Sequence, residues 1–311
     1  MEERIVVEQK KQLYEAVDRM AKRLTGMADF IFDHPETDGN EVQAAALLTD
    51  FLKENGFVVE MGCGGLPTAF RGVYENRPQG VWGKGRIPRI GILCEYDALE
   101  NLGHGCGHHM QGPSCLGAAL AVKEVLKSLP YDLVVYGTPA EETFGGKVNM
   151  IKAGCFEDID VALMMHGAPD TCTDKKCLAM SEYEVVYVGK KAHAAIAPEQ
   201  GRSAFDALLL AFQGVEFLRE HVREDVRMHY TVKELPGPAN VVPGRAVGKF
   251  ILRSFSRDYL DSLQDRFYNI INGAAMMSGV EAQIKVIQSL DNKVPVFALN
   301  DLVMKNAAEA G

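Results

Sequence analysis

The chain has 311 residues, of which 47% are hydrophobic and 24% are charged, so it can bury a sizeable core and is not intrinsically disordered. Its formal net charge of −9 argues against a nucleic-acid partner, because no basic stripe is available to neutralise phosphates. The first 24 residues lack the apolar core of a signal peptide, and no apolar run is long enough to cross a bilayer. We therefore expect a cytoplasmic protein that does not enter a membrane.

Helical and strand-like patterns alternate along the first 180 residues. This alternation predicts an α/β fold in which helices cover a mostly parallel sheet. The predicted helices are residues 8–32, 41–55 and 112–126, and the predicted strands are residues 57–61, 68–73, 90–93, 133–136 and 161–165.

The pattern changes near residue 181. From there the order of elements is strand, helix, strand, strand, helix, strand, which is typical of a ferredoxin-like α+β sandwich. We place this domain at residues 181–288, inserted into a first domain made of residues 1–180 and 289–311. Its predicted strands are residues 182–188, 228–232, 246–252 and 282–286, and its predicted helices are residues 203–220 and 258–276.

Side chains that bind metal ions follow three predicted strands. Cys106 and His108 follow the strand at 90–93, Glu141 and Glu142 follow the next strand, and His166 follows the third. Open α/β sheets bind ligands at the carboxyl ends of their strands, so we expect the three clusters to meet in one pocket.

A thiolate, an imidazole and a carboxylate together suit a divalent ion such as zinc, which can acidify a bound water. Two adjacent glutamates allow one carboxylate to bind the metal and the other to take the water's proton as general base. Taken singly, Cys106 is more often a buried core thiol, and His166 a structural histidine. The coincidence of all three clusters at successive strand ends favours a metal-dependent hydrolase.

Several motifs, taken in order, resemble those of the M20 metallopeptidases, closest to the amidohydrolase and aminoacylase-like (M20D-like) subgroup. The resemblance covers nearly the whole chain, and the ordered combination is more specific than any single motif. The motifs are Asp97-Ala98-Leu99, Gly105-Cys106-Gly107-His108, Pro139-Ala140-Glu141-Glu142, Met165-His166-Gly167, Lys191-Ala192-His193-Ala194 with Pro198 and Gly201, and Ala239-Asn240-Val241-Val242-Pro243.

The resemblance implies that the first domain is catalytic and holds two divalent ions, zinc or manganese. It implies that the inserted domain is a lid and dimerisation domain in a homodimer. Glu141 is implied as the general base, and His193 as the group that polarises the scissile carbonyl, often across a dimer interface. The implied metal ligands are Cys106, His108, Glu142 and His166.

Other residues are assigned around this centre. Asp97 is expected to orient a metal ligand without touching the ion itself. Asn240, framed by prolines and glycines in a rigid loop, and Arg253, after a strand, are candidates for binding substrate, although a plain turn and a surface arginine are the alternatives. The predicted reaction is hydrolysis of the amide bond in a small N-acyl amino acid or dipeptide.

The sequence departs from the family pattern in two places. His109 stands where family members commonly carry Asp or Asn, so the choice of His108 as ligand rests on motif alignment. No histidine follows His229, whereas family chains supply one more histidine ligand from a later stretch of the catalytic domain. The alternative is therefore a truncated enzyme or an inactive dimeric binding protein. A third hypothesis, Cys106 as nucleophile with His108 as base, leaves the two glutamates unexplained.

Overall fold

A computed structural model describes residues 2–80, 86–173, 175–234 and 236–311. Their contacts divide the chain into two compact units, Met1–Thr171 and Cys172–Glu309. Residues 1, 81–85 and 174 of the predicted catalytic domain, and residue 235 of the predicted lid domain, lie outside the described part. Residues 289–309 group with the second unit, so their assignment to the catalytic domain stays a prediction.

The first unit combines helices and strands. Its elements are α1 (Glu2–Asp33), α2 (Val42–Glu54), β1 (Val58–Met61), β2 (Phe70–Asn76), β3 (Arg89–Cys94), α3 (His108–Val125), β4 (Tyr131–Gly137), α4 (Gly146–Lys152) and β5 (Val161–Met164). A short 3-10 turn at Cys63–Gly65 lies between β1 and β2.

The sheet of the first unit has five strands in the order β1-β2-β4-β3-β5. The α/β class is confirmed, but the sheet is mixed: β3 pairs in parallel with β4 and β5, whereas β1 with β2 and β2 with β4 are antiparallel. The expectation of a mostly parallel sheet holds for the strands that precede the candidate ligands.

Strand β4 lies at the centre of this unit and is buried along its whole length. Leu133 and Val135 belong to the core formed with α1, α2 and α3, whereas Val134 and Tyr136 pack with Met150 of α4 on the opposite face. Successive side chains point to opposite faces of a strand, so a continuous apolar run fits a sheet covered on both sides.

The second unit contains the predicted βαββαβ unit. Its principal sheet has the order β11-β6-β10-β8, with antiparallel neighbours throughout, and a two-stranded ladder joins β7 to β9. The elements are β6 (Ala179–Val188), β7 (Ala192–His193), α5 (Ala204–Arg219), β8 (Arg227–Glu234), β9 (Val241–Val242), β10 (Arg245–Ser254), α6 (Arg257–Ser278), β11 (Glu281–Leu290) and α7 (Phe297–Ala310).

Helices α5 and α6 pack against one face of the principal sheet. Tyr183, Val185 and Tyr187 alternate along β6 and join Phe212 and Phe267 from the helices in a single apolar core. This alternation with period two is the pattern from which the strand was predicted. No helix in the described part of the chain is long and apolar enough to cross a membrane.

Candidate metal centre

The ends of three neighbouring strands position the candidate ligands. Strands β4, β3 and β5 are adjacent and parallel, so their carboxyl ends meet at one edge of the sheet. Asp97 follows β3, Glu141 and Glu142 follow β4, and His166 follows β5. The structure places these residues at one edge of the sheet, where we expected the clusters to meet.

Helix α3 begins earlier than its periodicity predicted, at His108 instead of residue 112. Gly107, just before it, has a φ of 86°, a left-handed conformation that costs glycine little. The turn places His108 in the first turn of the helix, where it is 1% exposed. The metal-binding motif is therefore part of the helix start and not a loop ahead of it.

Three donor atoms lie together at this edge. The Nε2 atoms of His108 and His166 are 3.3 Å apart, and the Sγ of Cys106 is 3.4 Å from Nε2 of His166. Nδ1 of His108 donates to Asp97 Oδ1 at 3.0 Å, and Nδ1 of His166 donates to the carbonyl oxygen of Gly167 at 2.7 Å. In a neutral ring whose proton is on Nδ1, the Nε2 atom presents a lone pair that can bind a metal ion.

The donor set fits a divalent metal ion. Lone pairs that face each other repel unless a cation lies between them, and two nitrogens bound at about 2.0–2.1 Å to one tetrahedral zinc ion lie roughly 3.4 Å apart. Glu142 Oε1 is buried without a hydrogen-bond partner in the described part of the chain, and it lies 3.9 Å from His108 Nε2. A buried carboxylate oxygen without a donor suits a metal ligand.

Asp97 fixes the orientation of this set. Oδ1 accepts from His108, and Oδ2 accepts the backbone N–H of Glu142 at 2.9 Å. Although burial opposes it, the hydrogen bond from His108 and the one from the Glu142 backbone lower the pKa of Asp97. The carboxylate therefore stays charged and points His108 Nε2 toward the other donors.

The pKa values of two candidate ligands reflect the same surroundings. Burial lowers the pKa of His108, but its hydrogen bond to Asp97 and the nearby charge of Glu95 outweigh burial and raise it overall. Burial, followed by the Glu142 carboxylate, raises the pKa of Cys106 to about 12. Without a nearby cation this thiol stays protonated at neutral pH, which argues against Cys106 as an unassisted nucleophile.

Glu141 lies beside this set. One of its carboxylate oxygens lies within 4.8 Å of ligand atoms of Glu95 and His108. Burial raises the pKa of Glu141, and the Glu95 and Glu142 carboxylates add to the rise while Lys147 opposes it. A raised pKa suits a carboxylate that accepts and then returns a proton, so the geometry is compatible with the predicted general base.

Three residues of this site were missed by the sequence analysis. Glu95, which follows β3 directly, is 1% exposed, and its Oε2 lies 3.2 Å from His108 Nε2. Gln111 Nε2 donates to Oε2 of Glu95 at 3.0 Å, and Lys147 forms an ion pair with Oε1. The sequence feature that could have identified Glu95 is its position at a strand end, two residues before Asp97.

His109, the neighbour of His108 in the motif, is directed elsewhere. Its ring packs edge-on against Phe32 with centroids 5.0 Å apart, and burial lowers its pKa. The structure therefore brings His108, not His109, to the donor set, and the ligand role of His108 stays a prediction.

The second unit holds the other predicted site residues. His193 pairs with Val241 in the β7-β9 ladder, and the N–H of Ala194 donates to the carbonyl oxygen of Asn240 at 3.0 Å. His193 and Asn240 are thus neighbours and both are exposed. Arg253 lies near the end of β10 that is far from this ladder, so the structure does not bring it together with the pair.

Known proteins resemble this chain over much of its length. Residues 93–300 match the profile described as peptidase family M20/M25/M40. The chain is 32% identical to a p-aminobenzoyl-glutamate hydrolase subunit from Escherichia coli (strain K12), over 96% of this chain and 64% of that protein. It is 32% identical to the Xaa-Arg dipeptidase of Homo sapiens, over 96% of this chain and 70% of that protein.

Solved structures share the fold at lower identity. An aminobenzoyl-glutamate utilization protein from Klebsiella pneumoniae superposes with a TM-score of 0.76 at 20% identity, over 96% of this chain and 83% of that one. The YXEP protein of Bacillus subtilis, a dinuclear metal-binding peptidase from the M20 family, gives 0.71 at 19% identity, over 94% and 81%. The chain spans 64% of the length of the E. coli relative above and 65% of the mouse Xaa-Arg dipeptidase.

Proposed function

Because this chain belongs to peptidase family M20/M25/M40, we propose that it hydrolyses the amide bond of a small N-acyl amino acid or dipeptide at a divalent metal centre. The names of its relatives, a p-aminobenzoyl-glutamate hydrolase and a dipeptidase, support this substrate class. The observation that carries the proposal is the convergence of Cys106, His108 and His166 on one another, with Glu142 Oε1, which has no hydrogen-bond partner among the described residues, beside them.

We assign Cys106, His108, Glu142 and His166 as ligands of a two-ion centre that takes zinc or manganese. Nitrogen, oxygen and sulfur donors of this kind accept either ion. When bound, the ions supply Lewis acidity, which polarises the substrate carbonyl and makes the attacking water more acidic.

The residues of the chain divide the remaining work. Glu141 removes a proton from the attacking water and returns it to the leaving amine, and Asp97 keeps His108 oriented. His193 donates a hydrogen bond to the oxyanion that develops on the scissile carbonyl. Asn240 and Arg253 are assigned to substrate binding. We further propose a cytoplasmic homodimer in which residues 181–288 form the lid and dimerisation domain.

The adjacent glutamates provide a matched test of these roles. Glu141→Gln is expected to keep the metal and lower turnover about 10²–10⁴-fold, the usual contribution of a general base. Glu142→Gln is expected to lower metal content as well. Metal content is read by elemental mass spectrometry, and turnover by amine release from a panel of dipeptides and N-acyl amino acids.

Two results would contradict the proposal. Full turnover by Glu141→Gln with metal bound would remove Glu141 as base. Turnover that survives complete removal of divalent ions by a chelator would instead favour Cys106 as a nucleophile, since a thiolate needs no metal.

A further inference from the structure

The ion pair between buried Glu95 and partly exposed Lys147 has no role in the mechanism above. The Glu95 carboxylate is almost fully buried, and burying a charge is costly unless it is paired and hydrogen-bonded. Lys147 contacts Oε1, while Gln111 donates to Oε2 and accepts the backbone N–H of Glu95 through its own Oε1. These contacts hold the Glu95 side chain in one orientation.

That orientation aims Oε2 at the donor set. Glu95 Oε2 lies 3.2 Å from His108 Nε2 and 3.9 Å from His166 Nε2. A neutral His108 that donates from Nδ1 to Asp97 has no proton on Nε2 to give to Glu95, so a cation between Nε2 and Glu95 Oε2 would satisfy both atoms. Oxygen and nitrogen ligands at about 2.0–2.2 Å from one tetrahedral ion lie roughly 3.4 Å apart. The distance of 3.2 Å between Glu95 Oε2 and His108 Nε2 is close to this value.

The charges nearby also call for a cation. Glu95, Asp97, Glu141 and Glu142 bring four carboxyl groups to one edge of the sheet. Among the described residues, Lys147 is the one lysine or arginine that forms an ion pair with any of these four groups. One lysine leaves most of the negative charge unbalanced, and a divalent ion would offset it.

We propose that Glu95 is a further ligand of the metal centre, through Oε2, and that Lys147 is a positioning residue that holds its other carboxylate oxygen. This assignment rests on the proposed function, because it requires the same centre. The competing explanation is that Glu95 serves only to neutralise Lys147 and never contacts an ion.

The first variant is Glu95→Gln, which keeps the size of the side chain and removes its charge. We expect affinity for zinc, measured by competition with a chromophoric chelator, to fall at least about tenfold. The d–d absorption of Co²⁺ bound in place of zinc should also change, because it reports the ligand set. The matched control is Glu182→Gln in the second unit, whose carboxylate is also buried and paired with a lysine, Lys249. It should leave affinity and spectrum unchanged.

A double variant separates the two explanations. In Glu95→Gln alone, the unpaired Lys147 would repel a cation and weaken binding even if Glu95 were no ligand. Glu95→Gln combined with Lys147→Gln removes both charges. Zinc affinity that stays low, with the altered Co²⁺ spectrum, supports ligation, whereas wild-type affinity and spectrum in the double variant overturn it. The double variant also leaves no unpaired charge from this pair, which keeps the test usable if the single variant does not fold.

The wild-type chain distinguishes failure of this inference from failure of the proposed function. If wild-type protein binds no divalent ion, both are contradicted. If it binds ions and the Glu95 variants bind them equally well with the same Co²⁺ spectrum, only the ligand role of Glu95 is contradicted.

Discussion

A single carboxylate, Asp97, links two of the candidate ligands. It accepts hydrogen bonds from the imidazole of His108 and from the backbone of Glu142, so one side chain orients an imidazole and a loop at once. Such partners of metal ligands affect affinity although they do not touch the ion.

Asp97→Asn tests this link. An amide can still accept from His108 through its oxygen, but its NH₂ group then faces the N–H of Glu142, where two donors repel. We expect metal affinity to fall about 10–100-fold, measured by chelator competition. Asp132→Asn, at the start of β4 and remote from the ligands, is the control, and a loss of equal size there would argue against the orienting role.

At the scale of elements, the packing of α5 against α6 depends on glycine at one position and not at another. A Cβ on Gly214 would lie 2.5 Å from Cγ2 of Ile270, whereas a Cβ on Gly273, within α6, would have no neighbour within 4 Å. The close approach of the two helices therefore requires Gly214, while Gly273 only adds backbone freedom to the unfolded chain.

Alanine at these two glycines should have opposite effects. Gly214→Ala is expected to lower the free energy of unfolding by about 1–3 kcal/mol through overpacking. Gly273→Ala is expected to raise it by about 0.5–1 kcal/mol, the usual gain in a helix interior. Urea denaturation followed by circular dichroism gives both values, and equal signs would contradict the packing explanation.

At the scale of the whole molecule, the candidate metal ligands all lie in the first unit, Met1–Thr171. A ligand that binds only folded protein stabilises it by about 2.7 kcal/mol at a concentration 100 times its Kd. If the two units unfold independently, the bound metal stabilises only the unit that holds it.

Hydrogen exchange followed by mass spectrometry measures this effect by peptide. Zinc or manganese should slow exchange in β3, β4 and the start of α3, and leave β6 and β10 of the second unit nearly unchanged. Cys106→Ser should remove most of the protection. Equal protection of both units by metal would show that the ion acts elsewhere or that the units open together.

The sequence by itself determined the family, the α/β class and the order of most elements in both units. The family prediction and the fold class are confirmed. These features are local: periods of two and 3.6 residues identify strands and helices, and short motifs follow the strand ends. Because the ends of parallel neighbours meet at one edge, the sequence also predicted that Cys106, His108, Glu142 and His166 would meet.

Only the tertiary structure decided which more distant residues join that edge. Glu95 and Lys147 are 52 residues apart in the chain, and nothing in either segment's local pattern signals their ion pair. The antiparallel pairing of β1 and β2, and helices α4 and α7, were likewise not predicted. Strand order and ion pairing depend on contacts between segments far apart in sequence, and hydrophobic periodicity within one segment carries no information about them.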